Sequence, residues 1–265
     1  YEGVGMVPNP GPPLIFIPTT AGTSADVSQF AIITDTRRRV KIAIVSKMVI
    51  PDISLIDPAT THTMDPELTA STGMDALCHA FEAFVSTASS SLTDMSALTA
   101  VQLIQTHLFN AFSHPDDMAA RDGMMTASLM AGLAFSNASL GMVHAMAHSL
   151  GGANDLAHGE CNALLLEKVI DYNYDAIPEK YDQLGEAMGL DVSGIAPEKR
   201  AAAVSGVVSD LRQRLGIHQR LSDMGIDRSD LSELAGFAVL DPCLATNPKP
   251  ATEHDIENVY EQIWV

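Results

Sequence analysis

Glu67-Leu68-Thr69-Ala70-Ser71-Thr72-Gly73-Met74-Asp75-Ala76-Leu77-Cys78-His79-Ala80-Phe81-Glu82-Ala83-Phe84-Val85-Ser86 reads as a single helix, the first of a long series. Its Ala, Leu and Met residues recur with helical rather than alternating periodicity. The same pattern predicts helices over 67–86, 90–112, 118–136, 141–150, 158–172, 177–189, 197–215, 228–239 and 252–263. His114-Pro115-Asp116-Asp117 is a start signal for the third, and Gly151-Gly152 a stop for the fourth. Thr252 is a good N-cap for the last, with acidic residues in its first turn.

The residues ahead of this series have another texture. Leu14-Ile15-Phe16-Ile17, Phe30–Thr34, Val40–Val45 and Ile53–Ile56 are short, β-branched runs separated by Gly, Pro, Asp or Arg, and they read as strands. The chain is therefore expected to be mainly α: a β-containing piece over 1–64, then an all-helical domain over 65–265, of ordinary size at about 200 residues. Four short strands with hardly any crossover helix make a poor independent domain, so the β piece reads as part of something larger.

Two i,i+4 pairs stand out within the helices: Asp75 with His79, and His144 with His148; His158 follows beyond Gly151-Gly152. Four residues advance a helix by about 6 Å and leave two side chains about 40° apart, so each pair projects from one face. A lone Asp-x-x-x-His pair is a common exposed helical ion pair. Both pairs together, in apolar and Gly-flanked surroundings, point instead to a shared site. One carboxylate with two or three imidazoles suits a borderline divalent cation such as Fe²⁺ or Zn²⁺ better than Mg²⁺ or Ca²⁺. His62, His107, His114, His218 and His254 have polar or helix-end contexts and read as surface residues.

Composition narrows the function. A formal charge of −18 argues against sequence-independent nucleic-acid binding, which needs cations to neutralise phosphates. The one basic run, Arg37-Arg38-Arg39, reads as a solvated turn between strands. Cys78, Cys161 and Cys243 lack C-x-x-C spacing and read as buried, reduced thiols, which fits a cytoplasmic protein. No apolar run is long enough to span a bilayer, and no signal peptide is recognisable. Pro18-Thr19-Thr20-Ala21-Gly22-Thr23-Ser24, directly after the first strand, is a turn of the kind that lets amides and hydroxyls approach phosphate or ribose, though such turns are common.

Three runs together, Pro18–Thr23, Ala70–Ala80 and Gly141–His148 with Leu156–Gly159, closely resemble the iron-containing (group III) alcohol dehydrogenases, which include lactaldehyde reductases and 1,3-propanediol dehydrogenases. Thr246-Asn247-Pro248-Lys249-Pro250 fits the family's ending, and the likeness spans essentially the whole chain. The resemblance implies an N-terminal α/β nucleotide-binding domain and a helical metal domain with the active site between them. It implies Asp75, His79, His144 and His158 as ligands of Fe²⁺ or, in some members, Zn²⁺, and His148 as the catalytic histidine near nicotinamide and alcohol. Thr19, Thr20, Ser28, Phe30 and Lys41 fall where members contact NAD or NADP. The implied reaction is hydride transfer between nicotinamide and a small primary alcohol, diol or aldehyde.

Two departures qualify this. The family's Gly-Gly-Gly-Ser loop for the pyrophosphate should precede Thr19 and is not in the sequence, so about a hundred residues of a nucleotide domain are expected elsewhere (an argument from fold analogy). The expectation is a competent metal site with poor NAD binding by this chain alone. Thr23-Ser24-Ala25-Asp26 replaces a commoner Thr-Gly-Ser-Glu run. The competing readings are a non-catalytic metal-binding or oligomerisation subunit and a dehydroquinate-synthase-like lyase. Homo-oligomerisation is expected, since apolar area left by a missing partner domain encourages association.

Overall fold

The computed structural model of the protein describes residues 1–264. The N-terminal part carries β1 (Gly3–Val4), β2 (Ile15–Phe16), β3 (Phe30–Asp35), β4 (Val40–Val45) and β5 (Ile53–Ser54). β3 and β4 form an antiparallel hairpin registering Phe30 with Val45 and Asp35 with Val40, and β1 adds parallel to β4. β2 and β5 make a separate parallel pair, Ile15 opposite Ile53. The hairpin turn holds the arginine run as expected: exposed, with Arg38 paired to Glu2 at 2.8 Å. β1 was not foreseen. Two residues carry no periodicity, and only the docking of Gly3 and Val4 on Ile44 and Val45 makes them a strand.

The helical part comprises α1 (Pro66–Val85), α2 (Ser91–Ser113), α3 (Met118–Ala138), α4 (Met142–Asn154), α5 (His158–Asn173), α6 (Pro178–Ala187), α7 (Pro197–Arg214), α8 (Leu231–Ala238) and α9 (Glu253–Trp264). Local chemistry sets most starts. Asp65 accepts the Leu68 N–H ahead of Pro66, Ser90 and Thr93 form a capping box, and Asp117 accepts from Ala119 and Ala120. Thr252 and Asp255 exchange side-chain bonds at the head of α9. α1 is buried along nearly its whole length and packs on α2, α3 and α5, with Asp75, His79 and Glu82 among its buried residues. Among the described residues no single helix is long and apolar enough to cross a membrane.

α4 differs from expectation in a way that matters. It does not stop at Gly151-Gly152 but continues to Asn154, ending on Asp155 with φ +56°. The two glycines serve packing rather than termination. A Cβ on Gly152 would come within 2.9 Å of Val40 Cα, and one on Gly151 within 3.3 Å of Lys41 Cε. The bare helix face thus lets β4 lie directly against α4, which fixes the hairpin over the histidine cluster. His107 is also not a surface residue: it is half-buried, and its ring occupies the space a side chain on Gly123 would need.

Candidate metal centre

Asp75, His79 and Glu82 stand at i, i+4 and i+7 on α1 and share one face, all buried. α4 contributes His144 and His148, and the first turn of α5 contributes His158. Asp75 Oδ1 lies 3.9 Å from His79 Nε2, 3.7 Å from His144 Nε2 and 3.6 Å from His158 Nε2. One donor atom from each of Asp75, His79 and His144 falls within 4.8 Å of the others. His79 stacks between Phe135, at 4.3 Å between ring centres, and His144, at 4.6 Å. Gly159 explains how α5 comes so near, since any Cβ there would overlap the Ser71 carbonyl of α1.

α4 has no side-chain cap of its own, because Gly141 holds its N-cap position. Its first free amides are taken from a distance: Met142 N–H by Asn247 Oδ1 at 3.1 Å and Val143 N–H by Glu82 Oε1 at 2.6 Å. A Cβ on Gly141 would crowd both acceptors, at 2.9 Å and 3.0 Å. The second oxygen of Glu82 holds His144 Nδ1 at 2.5 Å, which leaves Nε2 to face Asp75. His148 Nδ1 is held likewise by Asp241 Oδ2, at 2.9 Å.

Asn162 completes the cluster from α5. Its amide Nδ2 donates to Asp75 Oδ1 at 2.7 Å and lies 3.2 Å from both His144 Nε2 and His158 Nε2, so a partly positive nitrogen stands among the lone pairs a cation would use. Among the described buried atoms, His79 Nδ1 and Asn162 Oδ1 have no hydrogen-bond partner. One carboxylate and three imidazoles turned toward each other are a donor set that fits Fe²⁺ or Zn²⁺.

The electrostatics agree. Burial alone would raise the Asp75 carboxyl, but His79, His158 and His144 around it hold it well below the usual range. Burial pushes His79 down to about 4 and His158 to about 3 despite Asp75, so both present neutral nitrogens. His144 behaves oppositely: against burial, Glu82 and Asp75 raise it to about 9. The field that loads a proton on this ring favours a cation at the same place.

A cleft of about 800 Å³ opens onto this cluster, lined by Asp75, His79, His144, His148 and His158 and also by Ser28, Phe30 and Lys41. Three of the five residues expected to contact the nucleotide thus share a cavity with the five of the candidate metal and catalytic set. Thr19 and Thr20 do not line it, whereas Thr23 does. The turn is pinned at both ends: Thr60 Oγ1 donates to Pro18 O at 2.6 Å, and Ser24 Oγ to Ser128 O of α3 at 2.5 Å. That anchoring turns its later half toward the cleft. Ser24 occupies the position where the family commonly has glycine, and its φ of +52° is the left-handed conformation glycine adopts freely.

Glu82, Asn162, Asn247 and Asp241 were not singled out from sequence as site residues. A signal did exist for Glu82, the one acid in Ala80-Phe81-Glu82-Ala83-Phe84-Val85, and for Asn162, four residues after His158. Asp241 offered none, since it precedes Pro242 in what reads as an ordinary turn.

Known proteins are similar to this chain in sequence and in fold. The chain is 39% identical over 264 residues to 1,3-propanediol dehydrogenase of Klebsiella pneumoniae, covering 100% of this chain and 68% of that protein. It is 36% identical over 259 residues to the NAD-dependent methanol dehydrogenase of Bacillus methanolicus, covering 98% and 68%. The solved alcohol dehydrogenase of Oenococcus oeni superposes with a TM-score of 0.96 at 36% identity, over 99% of this chain and 69% of that one. The chain therefore spans about two thirds of the length of these relatives. Residues 1–58 match the model described as "Iron-containing alcohol dehydrogenase", and residues 69–264 match "Fe-containing alcohol dehydrogenase family, C-terminal". With fold, sequence and family models in agreement from end to end, this chain belongs to the iron-containing alcohol dehydrogenase family.

Proposed function

We propose that this chain carries the metal half of an NAD(P)-linked oxidoreductase acting on small primary alcohols or diols and the corresponding aldehydes. Asp75, His79, His144 and His158 hold the cation, Fe²⁺ first and Zn²⁺ as the alternative. The observation that carries the reading is the convergence of three imidazole Nε2 atoms on Asp75 Oδ1, at 3.6 to 3.9 Å, beneath a cleft. When bound, the cation supplies Lewis-acid polarisation of an alcohol or carbonyl oxygen, and the nicotinamide exchanges the hydride.

The chain's own residues do the rest. Asp75 supplies the negative charge that offsets the cation. Glu82 keeps His144 in the tautomer with a proton on Nδ1 and a lone pair on Nε2. His148, with Nδ1 committed to Asp241, has Nε2 left to hold and pass the alcohol proton. Phe30 and Lys41 add an aromatic face and a cation to the lining of the same cleft, groups suited to a nicotinamide nucleotide.

Metal analysis of the purified chain, paired with an assay at the NADH absorbance band using propanediol or ethanol, tests the reading. Stoichiometric iron or zinc together with turnover supports it. Metal without turnover reduces it to a metal-binding subunit, and no metal in a chain supplied with both ions overturns it. Fluorescence titration with NADH measures the cofactor half separately.

A further inference from the structure

A second group of donor atoms lies beside the first and is not used by it. The turn Pro242–Thr246 is a short 3₁₀ helix begun by Asp241, whose Oδ1 accepts the Cys243 N–H at 2.8 Å. That turn leaves Asp241 Oδ2 against His148 Nδ1 at 2.9 Å. One donor atom each from His148, Asp241 and Cys243 falls within 4.8 Å of the other two, and His148 and Cys243 are both buried. Both also line the cleft, so the group is reachable from solvent. The mechanism above needs Asp241 only as an anchor for His148 and gives Cys243 no task.

We propose that His148, Asp241 and Cys243 form a second cation site, selective for a thiophilic divalent ion such as Zn²⁺, whose filling withdraws His148 from proton transfer. Nitrogen, oxygen and sulfur donors with one open position make a familiar zinc set. The sulfur is what separates this site from its neighbour: the Asp75 cluster offers only nitrogen and oxygen, and thiolate favours Zn²⁺ over Fe²⁺. Cys78 does not compete, since its Sγ is turned to the Asn162 carbonyl at 3.4 Å.

The proton balance is simple. The Cys243 thiol gives its proton to solvent as sulfur bonds to the ion. Nδ1 of His148 bonds through its lone pair, so the ring's own proton moves to Nε2. An imidazole fixed in that form donates at Nε2 but accepts no proton there, and relay stalls. That last consequence rests on the function proposed above; the binding does not.

The test is a titration of the full chain, stripped of metal, with Co²⁺ followed by absorbance and with Zn²⁺ alone by equilibrium dialysis. Two equivalents of metal are expected, one accompanied by the near-ultraviolet thiolate-to-cobalt band. Cys243→Ala and Cys243→Ser each remove that band and one equivalent. His79→Ala weakens the other equivalent and keeps the band, so failure of the Asp75 cluster is distinguishable from failure of this site. A wild-type chain saturated with Co²⁺ without a thiolate band overturns the proposal whatever the variants do. So does a Cys243 variant binding as many equivalents as the wild type.

Discussion

Glu82 grips His144 from the neighbouring helix, its Oε2 at 2.5 Å from Nδ1, while its other oxygen caps the same helix one residue earlier through the Val143 amide. One carboxylate therefore sets both where α4 begins and which nitrogen of its histidine faces the cluster. Glu82→Gln keeps the shape but weakens the hold on the tautomer. Metal affinity is expected to fall about 10- to 100-fold, as measured by competition titration against a chelator. An unchanged affinity would show that His144 is oriented by something else.

His144 and His148 share a helix face but have different proposed tasks. His144→Ala is expected to abolish retention of the metal held at the Asp75 cluster. His148→Ala is expected to keep that metal, lose the equivalent held with Cys243, and lose turnover. Loss of the Asp75-cluster metal in both, by elemental analysis, would mean that His148 is a ligand there too.

The metal-free chain is expected to be most stable near pH 6.5. His79 and His158, held down at about 4 and 3, resist the protons that the unfolded chain takes up below about pH 6.5, so stability falls as pH drops through that range. His144, raised to about 9, contributes stability that is complete below about pH 6.5 and lost as pH rises through 9. Thermal melts across this range check both limbs. His144→Gln is expected to flatten the alkaline limb alone, and loading with metal to do the same, since a cation then stands where the proton stood.

Gly159→Ala forces a methyl group onto the Ser71 carbonyl. Overpacking of this kind costs about 1 to 3 kcal/mol, visible as a lower midpoint in urea. Because α5 must retreat from α1, His158 moves from Asp75, and metal affinity is expected to drop with stability. Gly206→Ala, where a Cβ meets nothing within 4 Å, is the control and is expected to do neither.

The helices were legible because their signals are local. Periodicity placed all nine, and Asp117 and Thr252 marked starts that the hydrogen bonds confirm. Where a signal depends on partners distant in sequence, the reading failed. Gly151-Gly152 looks like a stop until β4 lies across it, and residues 228–230 of the eighth segment form a 3₁₀ turn instead of the first turn of α8. The five candidate residues line one cleft, yet the groups that orient them could not be found from spacing. Asp241 is 93 positions from His148, and Asn247 is 105 from Met142. No window of sequence contains both members of such a pair.

The first free amides of α4 are satisfied by Glu82 of α1 and by Asn247, 105 residues beyond Met142, so the start of that helix is finished in part by the far end of the chain. Loss of Asn247 would leave an orphaned donor at the very turn that carries His144, and distant sequence thereby bears on the geometry of the cluster.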